Sequence, residues 1–435
     1  MMIGKWFMGW CRMVGFRIKS GILQLSLGIA LLISILCASL IGLAYYTRLS
    51  FIDKQVGLQL DHRVESGIQY TLAQRLFIPL NETRSIDLFA EGTDSVTVSR
   101  KPWGIFELLT SEAHQGRHHA VRAALLAAAP DTLGKAALYM PDNNAPVYLA
   151  GDTHIEGTVY ASARKFSTGY VDGKGYNRPR FVDGEIRKSE ALMPLLDTTL
   201  LHAIRVFFKG SPTGYTIDPL PDLPSNRAFP FTGKTTPYYF SNQSIDLSDS
   251  LAGNLIIQSA IKIRVTAEAR LRDIILIAPN IDIDKGFTGN IQCFAERTLT
   301  VGAESYLKYP SALVLLGGER DSTIVIQHDA RVQGVVVIPG HDRTLASRGV
   351  FKIEKKALFH GSAYVNGASD IQGSLWGQLV TRTTQVRIGE TVYGNHLLDA
   401  TISSVKRSPY MPASPLWNHT KTPVIAQWIS YVPGE

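Results

Sequence analysis

From Gly21 to Tyr46 no residue carries a charge. As a helix, a run of this length spans a hydrocarbon layer, which takes about 20 residues. The alternative is a cleaved signal peptide, whose apolar segment is usually only about 7–15 residues long. The centre of the run, Leu25 to Leu43, is longer than that, and no small-x-small cleavage pattern follows it. Cys37 follows Ile35 and Leu36, unlike the small residues before a lipoprotein cysteine. The expectation is therefore a retained transmembrane helix over residues 21–46, with Tyr45 and Tyr46 at the lipid–water interface and the bilayer as its first partner. Lys5, Arg12, Arg17 and Lys19 precede the run without an acid, while Arg48, Asp53, Lys54 and Asp61 follow it. By the positive-inside rule, residues 1–20 form a basic cytoplasmic tail and the rest of the chain lies outside.

The tail also explains most of the charge. The net charge is +7, of which these four residues supply +4, so the remainder carries a mixed, solvated surface. A nucleic-acid face is not expected from that balance. Three cysteines fall in the tail (Cys11), the apolar run (Cys37) and the outer part (Cys293), which leaves no disulfide and no paired zinc spacing outside the membrane. Cys293 reads as a small buried hydrophobe.

Residues 47–76 continue a helical pattern. Ile52, Val56, Leu60, Val64, Ile68 and Leu72 recur four apart, with Asp53, Lys54, Asp61, Arg63 and Glu65 between them. A membrane helix running straight into an amphipathic stalk resembles the stem of type IV pilins and pseudopilins, although Ser20 stands where that family keeps a glutamate. The resemblance covers about the first sixth of the chain and implies a minor component of a pilus-like or secretion apparatus.

Residues 77–146 alternate apolar runs with turn residues, as in 94–100 and 103–110, and read as a small strand-rich region. The Ala-rich run 120–129 fits a strand or a helix. Between these runs lie His114, His118 and His119, with Glu112 the nearby carboxylate. This cluster reads as a solvated turn, with a metal site as the alternative.

Beyond residue 146 there is a weak internal repeat. Copies begin at Val147, Ile324, Phe351 and Ala363, with looser ones at Ile263 and Leu299. Apolar residues occupy offsets 0, 2, 8 and often 12, a small residue sits at offset 6, and glycine is frequent at offset 10. Residues two apart share one face of a strand, the polar triplet turns the chain, and glycine fits a tight corner. One unit cannot bury its inner face alone, whereas stacked units bury a continuous column. The expected fold class is mainly β, with a β-solenoid or β-helix domain over 147–406; a β-sandwich with similarly patterned strands is the alternative. The polar-triplet and φ-x-Gly-x-φ units resemble those of bactofilins, polymer-forming cytoskeletal proteins built as β-helices. The resemblance covers about a third of the chain and implies self-association.

An insertion at about 161–250 breaks the repeat, with a short helix expected at 190–201 capped by Ser189 and an extended proline segment at 218–224. The tail 407–435 carries Tyr410, Trp417, Trp428 and Tyr431, placed as a cap over the open end of the solenoid.

Catalysis on such a scaffold needs converging carboxylates. The candidates are Asp273, Asp282, Asp284, Asp329 and Asp370. Asp152, Glu268, Glu304 and Asp329 all fall at offset 5, where a solvated turn explains them. Lys285-Gly-Phe-Thr-Gly-Asn is too loose for a phosphate loop. No catalytic, cofactor or metal residue is assigned. The expected role is a non-catalytic, membrane-anchored structural or assembly protein outside the bacterial cytoplasmic membrane. Its partners would be its own copies, other envelope proteins or a glycan; a carbohydrate-active β-helix is the alternative.

Overall fold

The computed structural model describes residues 22–74, 78–88, 95–130, 132–162, 165–209, 217–220, 223–233, 235–317, 322–340, 346–417 and 422–429. The basic tail, Cys11 and Tyr431 lie outside them. The chain divides into two compact units.

The first unit takes in the chain up to Leu60, together with Gln115–His118. Its main element belongs to a single helix, Ile22–Ala73, that runs without a break from the apolar run into the amphipathic stretch. This helix is long and apolar enough to cross a membrane, as a single span or as a signal sequence near the N-terminus. Large apolar side chains from Leu25 to Leu43 stand exposed. The hydroxyls of Ser34, Ser39 and Thr47 donate to the carbonyls of Ala30, Ile35 and Leu43 at 2.7–2.8 Å, so these polar groups are satisfied within the helix. Asp53 accepts a 2.7 Å bond from Arg117.

In the second unit, the last turns of the helix bury Val64 and Ile68. Gly67 permits the approach: a Cβ there would stand 2.5 Å from Ser111 Oγ and 2.8 Å from Val96 Cγ2. Those two residues belong to an antiparallel sheet whose first four strands are β1 (Thr83–Asp87), β2 (Ser95–Trp103), β3 (Phe106–Gln115) and β4 (His118–Ala128). The Ala-rich run is thus a strand: β4 buries Ala123 to Ala128. The fifth strand is Pro423–Ile429, which pairs Val424 with Ala127 and Trp428 with Ala124. This corrects the expected end cap, because Trp428 lies on the free edge of β4, where pairing satisfies a row of backbone groups.

The rest of the unit is a parallel sheet that closes on itself. Its register shows how the repeat folds. Ile245 pairs with Ile263, then Ile281, Leu299, Ile324 and Phe351 follow in one ladder. On the next side, Leu251, Leu271, Gly289, Leu307, Val332, Phe359, Leu375 and Ile402 form a second ladder, and Ile155 from the first copy joins its end. A third runs from Ile257 through Leu276, Cys293, Leu313, Val336, Ala363 and Leu379 to Leu138 and Val159. Apart from the half-buried Gly289, these inner residues form one continuous buried core. Each large aliphatic side chain so buried contributes about 1.5–3 kcal/mol before chain entropy is charged against it.

The corners are set by backbone geometry. Glu304, Asp329 and Lys356, all at offset 5, adopt φ of +58°, +58° and +64°, with Gly286 at +81° in the equivalent turn. At offset 10, Gly334 and Gly361 have φ +149°, and a Cβ on either would sit within 1.9 Å of the carbonyl oxygen one circuit earlier. Glycine is the residue that fits both constraints.

Three expectations are corrected. The circuit after Phe351 begins at Ser369, not Ala363, because Phe351 pairs with Ser369 and Gly361 with Gly377. Every side of the circuit has apolar residues two apart, so a slip by one side imitates a repeat. Parallel pairing also reaches back into the segment read as an insertion, through Ile186–Lys188, Tyr238–Ser241 and Ile245–Leu247. The short helix is Thr198–Lys209, later than the expected 190–201; Pro194 precedes it, and Asp197 Oδ1 accepts from Thr199 N at 2.9 Å as its cap. Its Leu200, Ile204 and Phe207 pack with Trp103, Phe106, Tyr238 and Phe294, joining the antiparallel sheet to the outer surface of the parallel one.

Candidate functional site

The carboxylates that could have converged are held separately. Asp282 pairs with Lys262 at 2.6 Å and Asp284 with Arg264 at 2.9 Å, each across to the neighbouring circuit. Glu304 pairs with Lys285 at 2.8 Å, and this contact holds its carboxyl below the usual range. Asp152 binds Arg178 at 2.9 Å, and Glu268 is exposed in its turn. Asp329 occupies its left-handed turn position. Asp273 accepts from Asn290 and, at 3.2 Å, from Gln427. Asp370 is buried and accepts from Gln372 Nε2 at 3.0 Å and Arg387 N at 3.2 Å. Asp273 and Asp370 line different cavities.

What the register does assemble is a charged face. On the side whose inner ladder runs from Leu251 to Ile402, the outward residues fall into two columns flanking it. One column reads Ser250, Arg270, Thr288, Tyr306, Arg331, Leu358, Ser374, Thr401. The other reads Ala252, Arg272, Asn290, Lys308, Gln333, His360, Trp376, Ser403. Four cations stand in these columns; at the far end Glu156 continues the second column and accepts from the Ser403 hydroxyl at 2.6 Å, and the Asp273 carboxylate accepts from Asn290. Neighbouring strands lie about 4.8 Å apart, so the cations are spread along the stacking direction at multiples of that spacing. A groove of about 360 Å³ opens between Arg227, Arg270, Arg272, Asn290 and Lys308. Aromatic surface is interleaved: Lys308 Nζ lies 5.9 Å from the Tyr306 ring centre, and Lys406 Nζ lies 5.6 Å from that of Trp376. His360 accepts from Ser408 N at 2.9 Å; burial, then nearby Arg407, lower its pKa and favour the neutral ring. The acids Glu268, Glu304 and Asp329 stand on the corner before this face, not in its columns. The ladder Ile245 to Phe351 is different, for there Lys262 and Arg264 each meet an acid.

Sequence reasoning missed this face although its signal was present. The columns are offsets 7 and 9 of the repeat, on either side of the apolar offset 8; those two positions hold Arg270, Arg272, Lys308 and Arg331 in the copies from Ile263, Leu299 and Ile324, with Glu156 in the copy from Val147 and Asp370 in that from Ala363.

The histidine cluster is divided by the strand pleat. Successive side chains on a strand point to opposite faces, so His118 and His119 part company. His118 lies 3.4 Å from Asp53 within the first unit. Glu112 and His114, two apart on β3, share the other face with His119 on β4. The turn between them is Gly116-Arg117, and Gly116 at φ +58° suits the first position of a type II′ turn. Such a two-residue turn sets His114 opposite His119. Their rings stack at 4.3 Å with planes 19° apart. Glu112 Oε1 lies 2.7 Å from His114 Nε2 and 2.8 Å from His119 Nε2. Partial burial raises the Glu112 pKa, but the two imidazole contacts outweigh it and leave the carboxyl below its ordinary value.

Comparison of the chain with protein-family models, with curated proteins and with solved structures finds no match.

Proposed function

We propose that the closed parallel sheet is a β-helix carried on a membrane anchor, and that the protein is a non-catalytic structural or assembly component outside the cytoplasmic membrane of a bacterium. The observation that carries this reading is the division of labour in the register. Three inner ladders are filled mainly with aliphatic and aromatic side chains, the carboxylates are engaged one at a time, and one outer face gathers Arg270, Arg272, Lys308 and Arg331 over successive strands. Such an arrangement presents a rigid surface. The apolar helix, the basic tail before it and the bactofilin-like repeat support the anchor, the orientation and the capacity for self-association.

The cationic face favours a second reading in which the surface takes an anionic glycan. Arginine and lysine at intervals along the stack match a chain of repeating negative charge, and Tyr306 and Trp376 offer flat apolar surface to sugar rings.

The test uses the full chain in detergent, since helix residues up to Ile68 belong to the second unit's core. Light scattering over a wide concentration range, with electron microscopy of the same samples, is expected to show growth or filaments. A monomer at all concentrations would remove self-assembly and leave the glycan reading. That reading predicts salt-sensitive retention on an immobilised polyanionic polysaccharide, lost in Arg270→Glu/Lys308→Glu; equal retention of the variant would reject it.

A further inference from the structure

We propose that Glu112, His114 and His119 form a binding site for a divalent transition-metal cation of the zinc or copper class. The three ligand atoms already lie within 4.8 Å of one another. They come from adjacent strands joined by a tight turn, so the backbone holds their spacing without help from a flexible loop. Two imidazole nitrogens and one carboxylate oxygen suit zinc, nickel or copper better than magnesium or calcium, which prefer oxygen alone. Three protein ligands leave further positions for water, as at an exposed tetrahedral or five-coordinate site.

The face-sharing is specific. In a strand with the alternate register, His118 would have faced Glu112 in place of His119. Without a cation, the carboxylate oxygen between the two rings accepts their N–H groups at 2.7 and 2.8 Å. A metal about 2.0–2.2 Å from each donor in tetrahedral geometry sets the donors roughly 3.3–3.5 Å apart, so the carboxylate oxygen backs away from the two nitrogens to admit it. Each imidazole must then offer a lone pair from Nε2, so its proton moves to Nδ1 or leaves to solvent, and affinity falls in acid. Metal binding would clip β3 to β4 and stiffen the hairpin.

Full-length protein in detergent, stripped with chelator, is titrated with Co²⁺ while its visible absorption is followed, and Zn²⁺ is then added in competition. The expected result is one Co²⁺ per chain with d–d bands that Zn²⁺ abolishes. His114→Ala and His119→Ala each weaken binding by roughly 100-fold or more, above the 10–100-fold typical of losing an outer hydrogen-bonding partner. His118→Ala leaves the affinity unchanged. Thermal melting without metal shows whether each variant is folded, and Zn²⁺ should raise the melting temperature of the wild type and of His118→Ala only. Glu112→Gln keeps the shape of the side chain and serves if an alanine variant fails to fold; it should weaken binding too. Equal Co²⁺ affinity in wild type and His114→Ala/His119→Ala, or no binding by the wild type, would overturn the proposal.

Discussion

The glycines at offset 10 carry a constraint that most residues of the sheet do not. A Cβ on Gly361 would lie 1.8 Å from the Gly334 carbonyl oxygen, at a φ of +149°. Gly361→Ala should therefore destabilise the protein by at least about 3 kcal/mol, measured as a shifted urea midpoint. Gly389→Ala, at φ +55° with open space around it, should cost only about 1 kcal/mol. Asp370 gives a pH signature. Burial pushes its carboxyl above the ordinary 3.8, against the lowering by Gln372 and the Arg387 N–H. The folded state then holds the proton to higher pH than the unfolded chain does. Stability is lost as pH rises from about the ordinary value through the raised one. Across that window the stability difference between Asp370→Asn and wild type should move in favour of the variant. A pH-independent difference in urea midpoints would show that Asp370 ionises normally when folded.

At the scale of elements, the helix Ile22–Ala73 serves two environments with one backbone. Glycine in a helix interior usually gains by conversion to alanine, by up to about 1 kcal/mol. Gly57 has nothing within 4 Å of its would-be Cβ, so Gly57→Ala should raise the melting temperature slightly. Gly67→Ala should lower it, because the new methyl meets Ser111 and Val96 and forces the helix off the antiparallel sheet. The same melting curve read on both variants separates propensity from packing. Elements also explain the misplaced repeat copy. The corner after Ile353 uses four residues, 354–357, whereas that after Ile371 uses two, 372 and 373, and a fixed thirteen-residue template cannot follow the change.

At the scale of the molecule, the third inner ladder passes without interruption from Tyr239 to Ile186, and Cys293 is one of its members, between Leu276 and Leu313. Its thiol is fully buried, and burial pushes its pKa far up. In a Cys11→Ser/Cys37→Ser background, a thiol reagent should leave the native protein unlabelled, and labelling should rise only with global unfolding in urea. Labelling well below the unfolding midpoint would show that this part of the stack opens by itself.

The sequence by itself determined what depends on local composition and period. A run of uncharged residues long enough to cross a bilayer, the continuation of the helix through Ile68, the mainly β character and the offsets 0, 2 and 8 of the core are all set by side-chain polarity along the chain, which is visible without coordinates. Cys293 as a buried hydrophobe belongs to the same class. Tertiary structure alone decided what depends on register. Which circuit follows Phe351 turns on a slip by one side of the circuit; whether His118 or His119 joins Glu112, and whether Arg270 and Lys308 stand on one outer face, turn on single-residue shifts, and a shift of one residue sends a strand side chain to the opposite face. The place of Trp428 was likewise undecidable from its neighbours, because the strand edge it covers lies about three hundred residues earlier in the chain, at Ala124.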